Sequence, residues 1–173
     1  HQSTLNNETL LFSPTPPSNG ALKVLLAFPN TYSIGITSLG YQVIWTTLAQ
    51  RPDVDVKRVF TDQREYTKSN CDLFGLSLSW ELDGPILLDL LEAQHIPIWN
   101  NQRSANDPIV FGGGPVLTAN PEPFAPFLDV VLLGDGENLL PNFIDSIQRV
   151  KNLTRNEQLK DLAQIPGIYV PEF

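Results

Sequence analysis

Two short apolar runs that end directly in glycines constrain the fold of this chain most. Val110 and Phe111 lead into Gly112–Pro115, and Asp129–Leu133 leads into Gly134–Glu137. Strands that are almost entirely apolar are typical of parallel α/β sheets, in which both faces are buried. Ligands of such sheets bind at the carboxyl ends of the strands, where a glycine leaves the main chain open to close approach. The two runs therefore predict neighbouring strands that present bare backbone at one edge of a sheet.

The rest of the chain alternates between apolar runs and amphipathic stretches, which predicts helices on both faces of the sheet. The predicted strands are 22–28, 54–60, 73–79, 109–111 and 130–133, and the predicted helices are 35–51, 85–94, 137–150 and about 155–163. The polar residues 61–70 are compatible with a further short helix, and Pro97 keeps the extended piece 96–99 out of a central position. This pattern predicts a flavodoxin-like, doubly wound parallel α/β sheet of about five strands in the order 2-1-3-4-5.

The sequence divides into three parts. Residues 1–20 are polar and proline-rich and are interpreted as an arm or linker, and residues 21–152 form the α/β domain. Residues 153–173 hold a short helix, opened by a capping box of Thr154 and Glu157, and an extended linker that leaves the domain. Because the chain begins at His1 and contains no Met, we expect it to be excised from a longer protein.

Composition argues against several classes of function. The formal net charge of −8 disfavours a nucleic-acid partner, and no apolar run reaches the length of about 18 residues that spans a bilayer. The single cysteine, Cys71, excludes an intrachain disulfide and is compatible with a cytoplasmic protein. No nucleophile–base pair and no His-rich metal site can be assembled, so the chain alone is not expected to be catalytic.

The candidate site lies where the sheet order reverses, between strands one and three. The loops after these strands flank the predicted cleft, and the two glycine loops line the same edge further along. Polar and glycine residues of these four loops are the predicted cofactor-binding residues: Asn30, Thr31, Tyr32, Ser77, Ser79, Gly112, Gly113, Gly114, Pro115, Gly134, Asp135, Gly136 and Glu137.

Each candidate also has a structural interpretation, and the residues alone leave both open. The triple glycine either forms an amide-lined concavity or is a strand-ending turn. Glu137 either faces a ligand or favours the helix dipole. Trp80 either covers a ring system or packs in the core. Residues Ser77 and Ser79 either bind a planar ligand or are satisfied buried hydroxyls.

Three familiar site types do not fit. Gly114–Leu117 does not open a helix in the G-x-G-x-x-G pattern of a dinucleotide site. A phospho-receiver needs acidic residues after strands one and three, where Phe28-Pro29 and Ser79-Trp80 stand instead. His95, at the end of a predicted helix, suits the helix dipole better than a metal or catalytic role.

A set of motifs occurring in order points to a family. Gly75-Leu76-Ser77, Gly113-Gly114-Pro115, Asn120-Pro121-Glu122-Pro123 and Asp129-Val130-Val131 are followed by Gly134-Asp135-Gly136-Glu137. Over about residues 22–173 the chain resembles the N-terminal cobalamin-binding-like domain of cobalamin-dependent radical S-adenosylmethionine (SAM) proteins, in an uncharacterised branch. Pro29–Tyr32 with Gly35 and Leu39-Gly40 resembles the helix-one entry of that branch, and Ile165–Pro171 resembles its link to the radical domain.

The resemblance implies a cofactor and a partner. The corrin face of cobalamin would lie against the carboxyl edge of the sheet, touching Ser77, Gly113, Gly114 and the loop 134–137. A C-terminal radical SAM domain of the same polypeptide, beyond Phe173, would hold a 4Fe-4S cluster on a C-x-x-x-C-x-x-C loop and cleave S-adenosylmethionine. Cobalamin would carry a methyl group or assist another radical step.

One departure leaves the function open. Many cobalamin domains supply a lower-axial histidine from a D-x-H-x-x-G motif, but the corresponding stretch in this chain, 30–35, contains neither Asp nor His. Cobalamin would therefore bind base-off, without a histidine ligand from this loop. The alternative is a degenerate domain that binds no cofactor and acts as a docking or lid element, and a more remote third is a flavin or nucleotide domain of flavodoxin type.

Overall fold

The computed structural model of this protein describes residues 8–62 and 70–173, arranged as a six-stranded sheet between two layers of helices. The strands are β1 (Leu22–Ala27), β2 (Val54–Val59), β3 (Leu73–Ser77), β4 (Ile109–Gly113), β5 (Val130–Leu132) and β6 (Ile168–Tyr169). The helices are α1 (Tyr32–Gly35), α2 (Leu39–Ala49), α3 (Gly84–Ala93), α4 (Pro115–Ala119), α5 (Gly136–Val150) and α6 (Arg155–Leu162). Short 3₁₀ turns cover Glu81–Asp83, Asn100–Gln102 and Ala125–Phe127.

The sheet order is β2-β1-β3-β4-β5-β6, which confirms the predicted flavodoxin-like arrangement. The first five strands in this order are parallel neighbours, so their carboxyl ends share one edge. The predicted order 2-1-3-4-5 is correct. The runs of β1, β3, β4 and β5 are almost wholly apolar, as strands covered on both faces must be, whereas β2 contains Asp55, Lys57 and Arg58 and lies at the edge of the sheet.

Alternate residues of the strands supply two separate cores. Leu26 of β1 and Phe111 of β4 belong to the core under α2, α5 and α6. Leu25 of β1 and Val110 of β4 belong to the core under α3 and α4. This division follows from the two-residue period of a strand, which sends successive side chains to opposite faces.

The first predicted helix, 35–51, begins later than expected, at Leu39, and a separate short helix precedes it. The short α1 ends at Gly35, and α2 starts after Ser38, whose hydroxyl accepts a hydrogen bond from the Tyr41 amide. A serine at this position satisfies one of the free N–H groups of the first turn, and so favours a new helix start.

The end of the chain departs from its prediction. The sequence predicts that Ile165–Pro171 is extended and leaves the domain, but Ile168 and Tyr169 pair with Leu132 and Val131 of β5 as an antiparallel sixth strand. Gly167 accepts a hydrogen bond from the Leu133 amide and holds this segment on the sheet. Proline at both ends of the segment is typical of a linker, yet proline is also tolerated at an edge strand.

Two smaller expectations are corrected. The residues after Gly114 do open a helix, α4, with Pro115 at its first position, where proline needs no hydrogen-bond partner for its nitrogen. Residues 96–99 form no strand, and the carbonyls of Pro97 and Ile98 instead accept hydrogen bonds from Arg103. The further helix suggested within 61–70 falls largely on residues 63–69, outside the described residues.

The remaining parts agree with the sequence at the level of elements. Residues 8–20 contain no helix or strand, and this segment lies along α2, where the Thr15 amide donates to the Ala49 carbonyl at 2.9 Å. Helix α6 carries the predicted capping box of Thr154 and Glu157. The division of the chain into parts at residues 20 and 152 stays a prediction.

A buried charge network fixes the amino end of β5. Asp129 accepts hydrogen bonds from the Val110 amide at 2.7 Å, from Arg103 at 3.0 Å and from Arg155 at 2.7 Å. Arg103 also donates to the Phe127 carbonyl, so one carboxylate joins β4, the segment before β5 and helix α6. This network lies at the sheet edge opposite the predicted site and is structural.

Candidate functional site

A cavity of about 580 Å³ opens at the carboxyl edge of the sheet, and we call it the glycine cavity. Its floor is formed by the ends of β1, β3, β4 and β5, and its walls by the starts of α2, α4 and α5. This is the position at which ligands of open parallel sheets bind, because loops of neighbouring strands diverge there. The lining is mainly apolar, with a few polar groups at the mouth.

Nine of the thirteen residues predicted to bind a cofactor line the glycine cavity. They are Ser77, Ser79, Gly113, Gly114, Pro115, Gly134, Asp135, Gly136 and Glu137. The structure thus brings together the loops after β3, β4 and β5, as the parallel order requires. Their role in binding stays a prediction.

Gly113 supplies open main chain to this cavity. A Cβ built on Gly113 would come no closer than 3.8 Å to any atom beyond its chain neighbours, so the protein has room for a Cβ there. The absence of a side chain at Gly113 is therefore not enforced by the core. It leaves the end of β4 accessible from the cavity.

Gly134 and Gly114 have left-handed backbone conformations. Both have φ = +116°, a region that L-residues with a Cβ rarely adopt. The Gly134 amide donates to the Thr118 hydroxyl at 3.2 Å, which ties the loop after β5 to α4. At Gly114 a Cβ would collide with the backbone of Leu78, so this glycine is required by the fold itself.

Four predicted residues do not line the glycine cavity. Gly112 faces the core, where a Cβ would lie 2.6 Å from Leu117 and 2.9 Å from Leu128. Asn30 lines a neighbouring groove, and its side chain accepts a hydrogen bond from the Thr31 amide. The hydroxyl of Thr31 is hydrogen-bonded to that of Ser33.

Tyr32, the fourth of these residues, is turned towards the N-terminal segment. Its hydroxyl donates to the Glu8 carboxylate at 2.6 Å, and its amide donates to Asp62 at 2.7 Å. Burial and the bond to Glu8 raise the pKa of Tyr32 to about 12. This hydroxyl therefore stays protonated and holds the segment around Glu8 in place.

Sequence reasoning missed the wall contributed by α2 and α4. Gly40, Val43 and Ile44 of α2 line the cavity, as do Thr118 and Ala119 of α4. The helical spacing of the apolar residues in α2 predicts core positions and gives no sign of a cavity wall. The sequence signal for this wall was Gly40, a glycine inside a predicted helix. In the structure, no atom lies within 4 Å of a Cβ built on Gly40.

A second groove, of about 400 Å³, adjoins the glycine cavity, and we call it the Trp80 groove. Its lining residues are Phe28, Asn30, Ile34, Ser79, Trp80, Leu82 and Asp83. Ser79 lines both spaces, so the two are adjacent along the edge. Trp80 is 59% exposed and is not among the residues that line the glycine cavity.

The remaining reactive side chains are not in the glycine cavity. Burial and the charge of Asp72 raise the pKa of Cys71 to about 12, so its thiol is unreactive at neutral pH. His95 ends α3 with φ = 56° and is not in the cavity lining. Among the described residues, no group of three or more His, Cys, Asp or Glu is arranged to hold a metal.

The described helices include none with the length and apolar character needed to cross a membrane.

The sequence was compared with models of known protein families. Residues 63–171 match the family of radical SAM proteins, N-terminal. The chain belongs to this family. No curated protein matches the sequence.

One similar solved structure is described as a cobalamin-dependent S-adenosylmethionine radical enzyme, OxsB, with aqua-cobalamin and S-adenosylmethionine bound. The TM-score is 0.53 at 18% sequence identity, and the match covers 86% of this chain. It covers 20% of the enzyme, so this chain spans about a fifth of that protein's length. At this identity the similarity shows a shared fold.

Proposed function

We propose that this chain is the cobalamin-binding N-terminal module of a radical SAM enzyme. The observation that carries the proposal is the glycine cavity, in which main chain at Gly113 and Gly134 faces an apolar space at the carboxyl edge of the sheet. Family membership and the fold shared with a cobalamin-dependent radical enzyme support it.

The residues present fit a corrin. A broad, flat ring needs main chain without Cβ atoms to approach, and a Cβ at Gly113 would extend into otherwise open space. The apolar walls from α2 suit the ring face. The hydroxyls of Ser77 and Ser79 and the amides of the loop 134–137 lie at the mouth, where they can bind the amide groups of the corrin or its tail.

The cavity offers no histidine to a cobalt ion. Its lining residues include none, and the loop 30–35 after β1 has none either. The proposal is therefore base-off binding without a protein histidine. Asp135 and Glu137 are at the mouth and would face polar parts of the ligand.

This domain places a cofactor, and the reactive chemistry belongs elsewhere in the protein. In the proposed enzyme, cobalamin would supply a methyl-carrying or radical-assisting cobalt, while a C-terminal domain with a 4Fe-4S cluster would cleave S-adenosylmethionine. The residues of this chain bind and orient the corrin and shield it from water. We further propose a cytoplasmic setting, in keeping with the single, unpaired Cys71.

The second candidate is a domain that binds no cofactor and acts as a docking or lid element. The observation that favours it is the lack of a histidine in the cavity lining. Trp80, which could have filled the cleft in such a domain, lies in the neighbouring groove instead. The glycine cavity is therefore left open for a ligand.

A visible-absorbance titration separates the candidates. Hydroxocobalamin is added to the purified chain and to the parent protein that contains the radical domain, with flavin mononucleotide as the control ligand. Saturable changes in the corrin bands, without the spectrum of histidine ligation, support the proposal. No change with either protein supports the lid function, and saturable flavin binding supports a flavodoxin-type site.

A further inference from the structure

The Trp80 groove contains a carboxylate that lacks a partner. Asp83 is 8% exposed, and its side chain does not cap α3. Within residues 8–62 and 70–173, no hydrogen-bond donor or cation is paired with this carboxylate, and burial alone raises its pKa. The carboxylate oxygens are not sealed in the core, so they are open to the groove and can accept a cation that approaches from outside.

The walls around Asp83 are apolar and open to solvent. Trp80 is 59% exposed and Leu82 is 74% exposed, and both line the groove together with Phe28 and Ile34. Large apolar side chains that are exposed side by side mark interaction surfaces. An indole next to a carboxylate suits a cation, which can lie over the ring and pair with the acid at the same time.

The described loops of the surrounding edge carry acidic side chains. In the described residues of the loops that follow β1, β2, β3 and β5, every charged side chain is acidic: Asp62, Glu81, Asp83, Asp135 and Glu137. A surface that covers this edge is expected to be basic around an apolar centre, since opposite potentials meet at interfaces.

We propose that the Trp80 groove is the docking site for an arginine or lysine side chain of the C-terminal radical domain of the same polypeptide. The cation would pair with Asp83 and lie over Trp80, while Leu82 and Ile34 pack against apolar side chains beside it. Because Ser79 lines both spaces, a domain seated on the groove also extends over the mouth of the glycine cavity. The inference rests on the proposed function, which supplies this domain.

The test uses the parent protein with a specific protease site inserted after Phe173. The protein is cut after folding, and the dissociation constant of the two halves is measured by analytical ultracentrifugation. The test variants are Asp83→Asn, which removes the charge at constant shape, and Trp80→Ala. The control variants are Asp89→Asn, an acid on α3 outside the groove, and Leu153→Ala, an exposed apolar residue near the opposite edge of the sheet.

We expect each test variant to raise the dissociation constant at least tenfold and each control to change it less than twofold. The proposal is overturned if Asp83→Asn and Trp80→Ala both stay within twofold of the wild type, or if the wild-type halves do not associate. Self-association of the 173-residue chain that Trp80→Ala abolishes also overturns it, in favour of a second copy as occupant. Hydroxocobalamin titration of the same samples tests the proposed function separately, because neither test residue lines the glycine cavity.

Discussion

At the scale of the residue, two adjacent glycines of β4 have different functions. Gly112 is packed against Leu117 and Leu128, whereas Gly113 faces the glycine cavity with no atom closer than 3.8 Å to a built Cβ. The first glycine is required for folding and the second is free to vary as far as folding is concerned. Under the proposed function, a ligand that approaches the main chain at Gly113 would explain why a side chain is absent there.

Replacing Gly113 with leucine should therefore weaken corrin binding without unfolding the protein. Filling the space is expected to cost about 1–3 kcal/mol of binding free energy, or about 5- to 150-fold in the dissociation constant for hydroxocobalamin. The melting temperature should change little. The matched control is Gly112→Ala, which introduces a clash in the core and should lower the stability by about 1–3 kcal/mol.

The opposite pattern of melting temperatures would contradict the roles assigned to Gly112 and Gly113. If Gly113→Leu melts far below the wild type while Gly112→Ala does not, then Gly112 does not face the core and Gly113 does not face the cavity.

Asp83 gives a second prediction at this scale, which concerns pH. Burial raises the pKa of its carboxyl, so the folded chain binds this proton more tightly than the unfolded chain. Its ionisation therefore lowers the stability, and the penalty grows as the pH rises through the ordinary pKa and is complete above the raised one. Asp83→Asn removes the penalty and should raise the melting temperature of the 173-residue chain at pH 7.

The same substitution should have little effect near pH 3, below the ordinary aspartate pKa of about 3.9, where the carboxyl is protonated in both states. Thermal melts of both proteins at about pH 3, 5 and 7 check this dependence. A lower melting temperature for Asp83→Asn at pH 7 would show that the carboxylate has a stabilising partner.

At the scale of the element, Asp129 joins β4, β5 and α6. It is 4% exposed, and the Arg103 side chain that it pairs with is fully buried. Asp129→Ala leaves this guanidinium buried without its counter-charge, which should cost about 3–5 kcal/mol of unfolding free energy in chemical denaturation. The control is Asp161→Ala, which removes an exposed ion pair with Arg149 and should cost less than about 1 kcal/mol.

Equal losses in the two variants would mean that the buried network does not hold these elements together.

The order of the first five strands could be predicted because each run carries its own evidence of burial. The sixth strand could not, since Ile168 and Tyr169 form a very short edge strand. Ile168 and Tyr169 pair with the unpaired edge of β5. Which strand edge of a sheet is left unpaired cannot be inferred from the sequence of the segment that pairs with it. The start of α2 is a different case, because the cap at Ser38 is a local signal that lies inside an apolar pattern running on from residue 35.

For the site, prediction succeeded where backbone geometry decides the outcome. Because β3, β4 and β5 are parallel, the loops that follow them lie at one edge of the sheet, and this placement does not depend on the side chains of the loops. It did not anticipate the surroundings of Tyr32, whose hydroxyl is bonded to Glu8 and whose amide is bonded to Asp62, two residues far from it in the chain. Contacts of this kind depend on tertiary packing and have no local pattern.

At the scale of the whole molecule, the two candidate binding surfaces are concentrated at one edge of the sheet. The glycine cavity and the Trp80 groove lie side by side at the carboxyl edge, while the Arg103–Asp129 pair lies at the amino ends of the strands. The buried ion pair thus lies at one edge, and the surfaces where we propose that a cofactor and a second domain bind lie at the other. This arrangement suits a module that presents a cofactor to another domain.

The whole proposal depends on cobalamin binding in the glycine cavity without a histidine ligand, and electron paramagnetic resonance of cob(II)alamin is its sharpest test. Cob(II)alamin is added to the parent protein and to its Gly113→Leu variant, and bound and free cofactor are separated before the spectra are recorded. We predict a bound signal without nitrogen splitting from an axial ligand, and its loss in Gly113→Leu. A bound signal with nitrogen splitting, or one that persists in Gly113→Leu, would overturn the proposal.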